Sequence, residues 1–200
     1  MHTARSITPL MSLLTIVGVV ACSSEHESAI TEPPAPSLAV NQGVEYSVTG
    51  GGVVDFTTAG VGVGFFSFNA IQKADGSVTG RFHQRRETGA TVVDFSGIVT
   101  CVTIDAGLGR ARIGGVVTEN RSTNPNFLTE NHEVGDDVWF RVEDNGEGRN
   151  DAPDASTSYG FKPTLVNTSA EYCALPFTGA TWNPLSTFAL RSGNIQIRQR

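Results

Sequence analysis

From Val44 onward the chain alternates apolar and polar side chains with a period of two. "ARIGGVV" places Ala111, Ile113, Gly115 and Val117 on one face, with Arg110, Arg112 and Thr118 opposite. "DDVWFRVE" sets Val138, Phe140 and Val142 against Trp139, Arg141 and Glu143, and "GNIQIRQR" sets Ile195 and Ile197 against Asn194, Gln196 and Arg198. "SVTGRFHQR" sets Val78 and Phe82 against Arg81, His83 and Arg85. Such alternation predicts strands with one face in a core and the other in water. "VVDFSGIVTCVTI" is apolar on both faces, which predicts a central strand or one under a covering loop.

The punctuation agrees. Asp75-Gly76 carries the signal of a tight hairpin, and "ETGA" at 87–90 and "DAGLG" at 105–109 are further glycine-bearing turns. No window of ten or more residues keeps a capped 3.6-residue period, so little helix is expected. The pattern predicts strands over 44–49, 53–58, 61–72, 77–87, 91–105, 109–120, 136–144 and 193–199, with less regular structure over 145–192. Neighbours joined by hairpins imply an all-β antiparallel meander. A late strand paired with an early one would hide both edges, closing a small β-barrel, with a β-sandwich as the alternative.

The first residues do not belong to this pattern. "SITPLMSLLTIVGVVA" is an uncharged apolar run preceded by Arg5, too short for a comfortable membrane span and interrupted by Pro9. It ends in "VVAC", Val19 to Cys22, which resembles a bacterial lipobox. The resemblance implies a signal peptide over 1–21, diacylglycerol on the Cys22 thiol, and acylation of the freed amine, as by palmitate. Ser23, rather than Asp, follows the cysteine, and by the same resemblance the destination is the outer membrane. Such acyl chains hold a protein to the lipid bilayer without a spanning helix. Residues 22–41 form a polar, proline-bearing tether expected to be disordered, and 42–200 a single β domain.

Charge narrows the partners. Loss of residues 1–21 removes one arginine and no acid, leaving a net charge of −7, which disfavours nucleic acid. Residues 130–154 hold nine acids against Arg141 and Arg149, and the rest of the mature chain is balanced. Within this stretch Asp144, Glu147, Asp151 and Asp154 are candidate calcium ligands. An EF-hand needs oxygen ligands at positions 1, 3 and 5, but a loop starting at Asp144 has Gly146 and Gly148 there. A solvated turn is the reading preferred over a weak calcium site.

Cys101 and Cys173 remain once Cys22 is lipidated, and an even pair outside the cytoplasm predicts a disulfide. The alternative keeps Cys101 as a buried small hydrophobe and leaves Cys173 exposed. Searches for catalytic motifs are empty. "GVGVG" at 60–64 lacks dinucleotide-loop spacing, and there is no nucleophile elbow, H-E-x-x-H or phosphate loop. His83 and His132 read as surface residues, one on a solvent face and one in a loop. No catalytic or cofactor residue is therefore predicted.

The succession "FSFNA…DGSVTGRF…SGIVTCVTI…ARIGGVV…VEDNGEG…LRSGNIQIR" resembles a family of secreted bacterial β-domains with no established activity. The resemblance covers about residues 50–198 and departs at "NTSAEYCALPFTGATWNPLSTF". The function expected is that of a non-enzymatic, membrane-anchored domain, binding an envelope protein or small ligand or serving a structural role. Two rivals stand beside it. One is a lipocalin-like carrier, its apolar cavity lined by Phe65, Phe66, Phe68, Phe82, Phe95 and Phe140. The other is a hydrolase whose carboxylates converge from different strands.

Overall fold

The period-two runs become strands. The computed structural model describes residues 45–56, 62–129, 132–148, 150–159, 166–182 and 187–200, all within a unit spanning Ala39–Arg200. Residues 1–44, on which the expected signal peptide, the expected lipidation site Cys22 and the expected tether fall, lie outside the described residues. In chain order come β1 (Tyr46–Asp55), β2 (Val63–Gln72), β3 (Val78–Thr88), β4 (Thr91–Asp105), β5 (Arg110–Asn120), the single turn of helix α1 (Pro125–Thr129), β6 (Asp137–Glu143), β7 (Ala155–Ser156), α2 (Ser169–Cys173) and β8 (Phe188–Gln199). Each strand pairs antiparallel with the next, and β8 returns to β1, from Tyr46↔Gln199 to Val54↔Leu190. The sheet closes as a barrel, so the sandwich alternative is not realised.

The three predicted hairpins form as read, with Gly76, Gly89 and Gly109 at φ of 82°, 58° and 61°. Asp75 Oδ1 accepts the Ser77 N–H at 2.8 Å and closes the first of them. The front of the chain differs from the prediction. Where two strands were expected over 44–49 and 53–58, β1 runs unbroken from Tyr46 to Asp55, because the glycines between them are not a break. The Phe68 ring and Ile195 fill the space where a side chain at Gly50 would stand. The end differs as well, since β8 begins at Phe188 rather than 193 and β7 lies in the stretch expected to be irregular.

Inside the barrel, alternate residues of β2 to β6 point at one another. Phe66, Phe68, Phe82, Phe95 and Phe140 are buried, and Tyr159 joins them from the segment after β7. The Tyr159 ring stacks on Phe140 with centroids 3.8 Å apart, and meets Phe66 and Phe82 edge-on at 6.1 Å each. Each fully buried phenylalanine adds up to ~3 kcal/mol to the driving force for folding.

The outer faces of β5 and β6 depart from the alternation reading, which placed Arg112, Trp139 and Arg141 in water. Arg112 is 0% exposed and Arg141 and Trp139 are 4%. The segment 166–182 forms a strap over them. Trp139, Val166 and Tyr172 make a second apolar cluster with Leu175 packed on it. Cys101 and Cys173 are joined by a disulfide across a separation of 72 residues, which pins the strap to β4. The "VTCVTI" half of β4 thus lies under a covering segment, while Ile98 nearer its start is 45% exposed.

Candidate functional site

The acidic stretch is a largely exposed turn whose carboxylates accept N–H bonds from its own backbone and from β8. On the N-terminal side of β7 the ladder between 155–156 and 188–189 ends, and Leu190 N–H donates to Asp154 O at 2.7 Å. From there side chains replace a strand. Asp154 Oδ2 accepts the Ile195 N–H at 2.6 Å and Asp144 Oδ2 accepts the Ile197 N–H at 2.8 Å. Glu147 Oε1 accepts from the Asn194 amide at 3.1 Å and the Gln196 amide at 2.6 Å. Asp154 Oδ1 takes the Asn145 N–H at 2.8 Å, and Asp151 Oδ2 takes the Gly148 N–H at 2.6 Å. Gly146, at φ 99°, and Gly148 leave room for that carboxylate, which a side chain at either position would strike.

Residues 145–148 and 150–153 are exposed, as in a solvated turn, whereas Asp154 at its end is only 6% exposed. Both oxygens of Asp144 and of Asp154, Glu147 Oε1 and Asp151 Oδ2 accept from N–H donors. Among the described residues no group of three or more His, Cys, Asp or Glu side chains is placed to hold a metal ion. Burial raises the Asp154 pKa above the usual aspartate value, with Asp144 and Glu147 adding to the rise and its two N–H bonds opposing it. The amides of Asn194 and Gln196 lower that of Glu147.

The strap is fixed by cations. Arg112 and Arg141 are cross-strand partners, and Arg110 faces Glu143 beside them. Arg112 Nε donates to Leu175 O at 3.2 Å, and its Nη2 donates to Pro176 O at 2.8 Å and Thr181 O at 2.7 Å. The guanidiniums of Arg110, Arg112 and Arg141 lie 4.8, 5.0 and 4.7 Å from the Trp182 ring. Trp182 Nε1 donates to Glu143 Oε1 at 2.6 Å. Burial lowers the pKa of Arg112 and of Arg141 below the ordinary arginine value. Strap carbonyls and ring faces solvate these charges, which is a structural use of them. Alternation along β5 and β6 cannot announce a covering segment from sixty residues away.

His132, expected at the surface, is 1% exposed and sits between the rings of Phe95 at 4.4 Å and Phe127 at 4.7 Å. The chain after β5 folds back over the barrel end, where Asn120 Nδ2 donates to both Phe127 O and His132 O at 2.6 Å. His83 is outward, as expected. Of the six phenylalanines grouped as cavity lining, five fill the interior and Phe65 points outward, 49% exposed.

The outer face of β2 to β5 is left for contact with solutes. Ser67 pairs with His83 across β2 and β3, and His83 pairs with Ser96 across β3 and β4. His83 Nε2 shares a 2.8 Å hydrogen bond with Asp94 Oδ1, which orients the ring. Two adjoining depressions meet at His83 and Ser96. One, of about 230 Å³, contains Asp94, Glu119 and Arg121. The other, of about 360 Å³, contains Ser67, Asn69, Arg81 and Thr118.

The carboxylates in the first depression come from neighbouring strands, and both are held by cations. Asp94 meets His83 and Arg85, while Glu119 meets Arg121 at 2.6 Å. The second depression has no carboxylate in its lining. The Arg81 guanidinium there has no ion pair or hydrogen bond among the described residues, although its backbone N–H donates to Asn69 Oδ1 at 3.0 Å. Alternation puts Arg81 and His83 on the solvent face, but only strand register joins them to Ser67, Asn69 and Ser96.

No known protein family, curated protein or solved structure matches this chain. Among the described residues no helix is long and apolar enough to cross a membrane.

Proposed function

We propose that the protein is a lipid-anchored, non-enzymatic binding module, held at the outer membrane through acylated Cys22 and meeting its partner on the outer face of the barrel. The observation that carries this reading is the interior. Tyr159 stacks on Phe140 at 3.8 Å while Phe68 and Phe82 contact Phe140 edge-on at 5.3 and 6.4 Å. Side chains fill the space that a lipocalin-like carrier would give to an apolar ligand. The polar outer face, with Ser67, Asn69, Arg81 and His83 exposed, is the surface that remains. The tether supports the reading too, since about 20 residues at ~3.1 Å each would carry a domain well clear of a bilayer.

The hydrolase reading has less support. Asp94 is ion-paired with Arg85 and Glu119 with Arg121, and the backbone N–H groups of β3 and β4 face their ladder partners rather than a developing oxyanion.

The experiment is native mass spectrometry of the domain purified from its own membranes, with titration of an environment-sensitive apolar dye. A filled barrel carries no lipid beyond the acyl chains proposed on Cys22 and leaves the dye dark. Stoichiometric co-purified lipid, displaced by the dye, would overturn the outer-face reading in favour of the carrier.

A further inference from the structure

We infer that the two depressions on β2 to β5 form one site for an acidic saccharide, with its carboxylate on Arg81 and a neighbouring sugar unit against Asp94 and Glu119. This rests on the reading that ligands meet the outer face, and goes beyond it by naming the chemistry.

Charge pairing supplies the first argument. On this face Arg85 is paired with Glu87 and Asp94 and Arg121 with Glu119. Arg81 alone among these arginines has no carboxylate within reach among the described residues, and the depression it lines contains none. A guanidinium presents a planar fork of donors that matches a carboxylate's two oxygens. In a chain of net charge −6, this depression presents an arginine with no acid in its own lining.

The rest of the lining supplies the second argument. Ser67, Ser96 and Thr118 bring hydroxyls around the guanidinium, and Asn69 brings an amide. These groups both donate and accept, as a polyhydroxylated ligand requires. Across the shared His83 and Ser96 the chemistry changes, because the adjoining depression holds the carboxylates of Asp94 and Glu119. Carboxylates accept hydrogen bonds from hydroxyls and repel anions, so that end suits a neutral sugar unit. Neighbouring strands lie about 4.8 Å apart, so the groups on β2 to β5 recur at intervals comparable to one sugar unit. Phe65 stands two residues from Ser67 on the same face, 49% exposed, and offers a ring on which a sugar can stack. The ligand thus runs across the strands with its acidic unit over β2 and β3 and its neutral unit over β4 and β5.

The test titrates the mature protein by calorimetry with a uronic acid oligosaccharide, its neutral counterpart of equal length, and inorganic phosphate. Arg81→Gln is compared with Arg191→Gln, an exposed arginine of β8 away from the face. Melting curves establish that each variant is folded, and the Arg81 side chain makes no ion pair or hydrogen bond among the described residues. The acidic oligosaccharide is expected to bind at least tenfold more tightly than the neutral one, and Arg81→Gln to remove that preference while Arg191→Gln leaves it intact. Glu119→Gln should weaken the acidic and neutral oligosaccharides alike.

Equal binding of both sugars, unchanged binding by Arg81→Gln, or no binding of any sugar would overturn the proposal. Phosphate binding as tightly as the uronate would reduce the site to an anion site and overturn the saccharide assignment. None of these outcomes touches the outer-face reading, which fails only if an apolar ligand is found in the interior.

Discussion

Asp154 accepts the backbone N–H of Ile195 at 2.6 Å, and so a carboxylate completes a barrel seam where β7 is only two residues long. An unpaired N–H at that depth is costly, because Ile195 is 0% exposed and water cannot serve it. The same side chain takes the Asn145 N–H through its other oxygen. One residue thereby ties the 144–154 loop to itself and to β8.

Asp154→Ala should therefore destabilise the fold by about 2–3 kcal/mol, as two N–H groups lose their acceptor. Asp154→Asn keeps one acceptor and should cost about half as much. The pH dependence has a defined sign. The raised Asp154 pKa means the folded state holds a proton that the unfolded state has released, so this group's contribution to stability grows as pH falls towards the ordinary aspartate value. The gap between wild type and Asp154→Asn should widen as pH falls from neutral towards the ordinary aspartate value in urea unfolding curves. A constant gap would mean that Asp154 does not titrate abnormally.

Calcium should add nothing specific. The oxygens of Asp144 and Asp154 are engaged by N–H groups, and binding a cation would break those bonds. Melting curves in millimolar calcium, in magnesium and in sodium chloride of matched ionic strength should coincide, since screening acts alike in all three. A calcium-specific rise of several degrees would show that these carboxylates rearrange around the ion.

Arg112→Lys should behave more like a deletion than a conservative change. Lysine has one point of charge and cannot span Leu175 O, Pro176 O and Thr181 O together. A loss of ~3 kcal/mol is expected for Arg112→Lys and slightly more for Arg112→Ala. The disulfide keeps the strap attached in both. Trp182 fluorescence in the folded state should then report a loosened strap before global unfolding, whereas an unchanged signal would locate the strap's stability elsewhere.

Cys22→Ser should release the protein from membranes, because the anchor proposed for this chain is the acylated thiol. Cell fractionation with a high-salt wash checks it. Retention of the variant in the pellet would remove the lipoprotein reading without affecting the barrel.

The legibility of this chain follows the range of the interaction. Alternation along β3 and β5 and the turns at Gly76, Gly89 and Gly109 are local, so period and glycine position are enough to predict them. The meander follows from short connections, and the disulfide from an even pair of cysteines.

What the tertiary structure alone decided are contacts between residues far apart. Arg112 and Arg141 have the same alternation as Arg85, yet the strap buries them and leaves Arg85 in water. His132 looks like any loop histidine until the chain end closes over Phe95 and Phe127. The acids of 144–154 have the composition of a solvated turn, and only the missing stretch of strand beside Ile195 and Ile197 makes them acceptors. Likewise Ser67, His83 and Ser96 become one row only through register. Period two specifies which side of a strand a residue takes, and closure of the barrel specifies what that side meets.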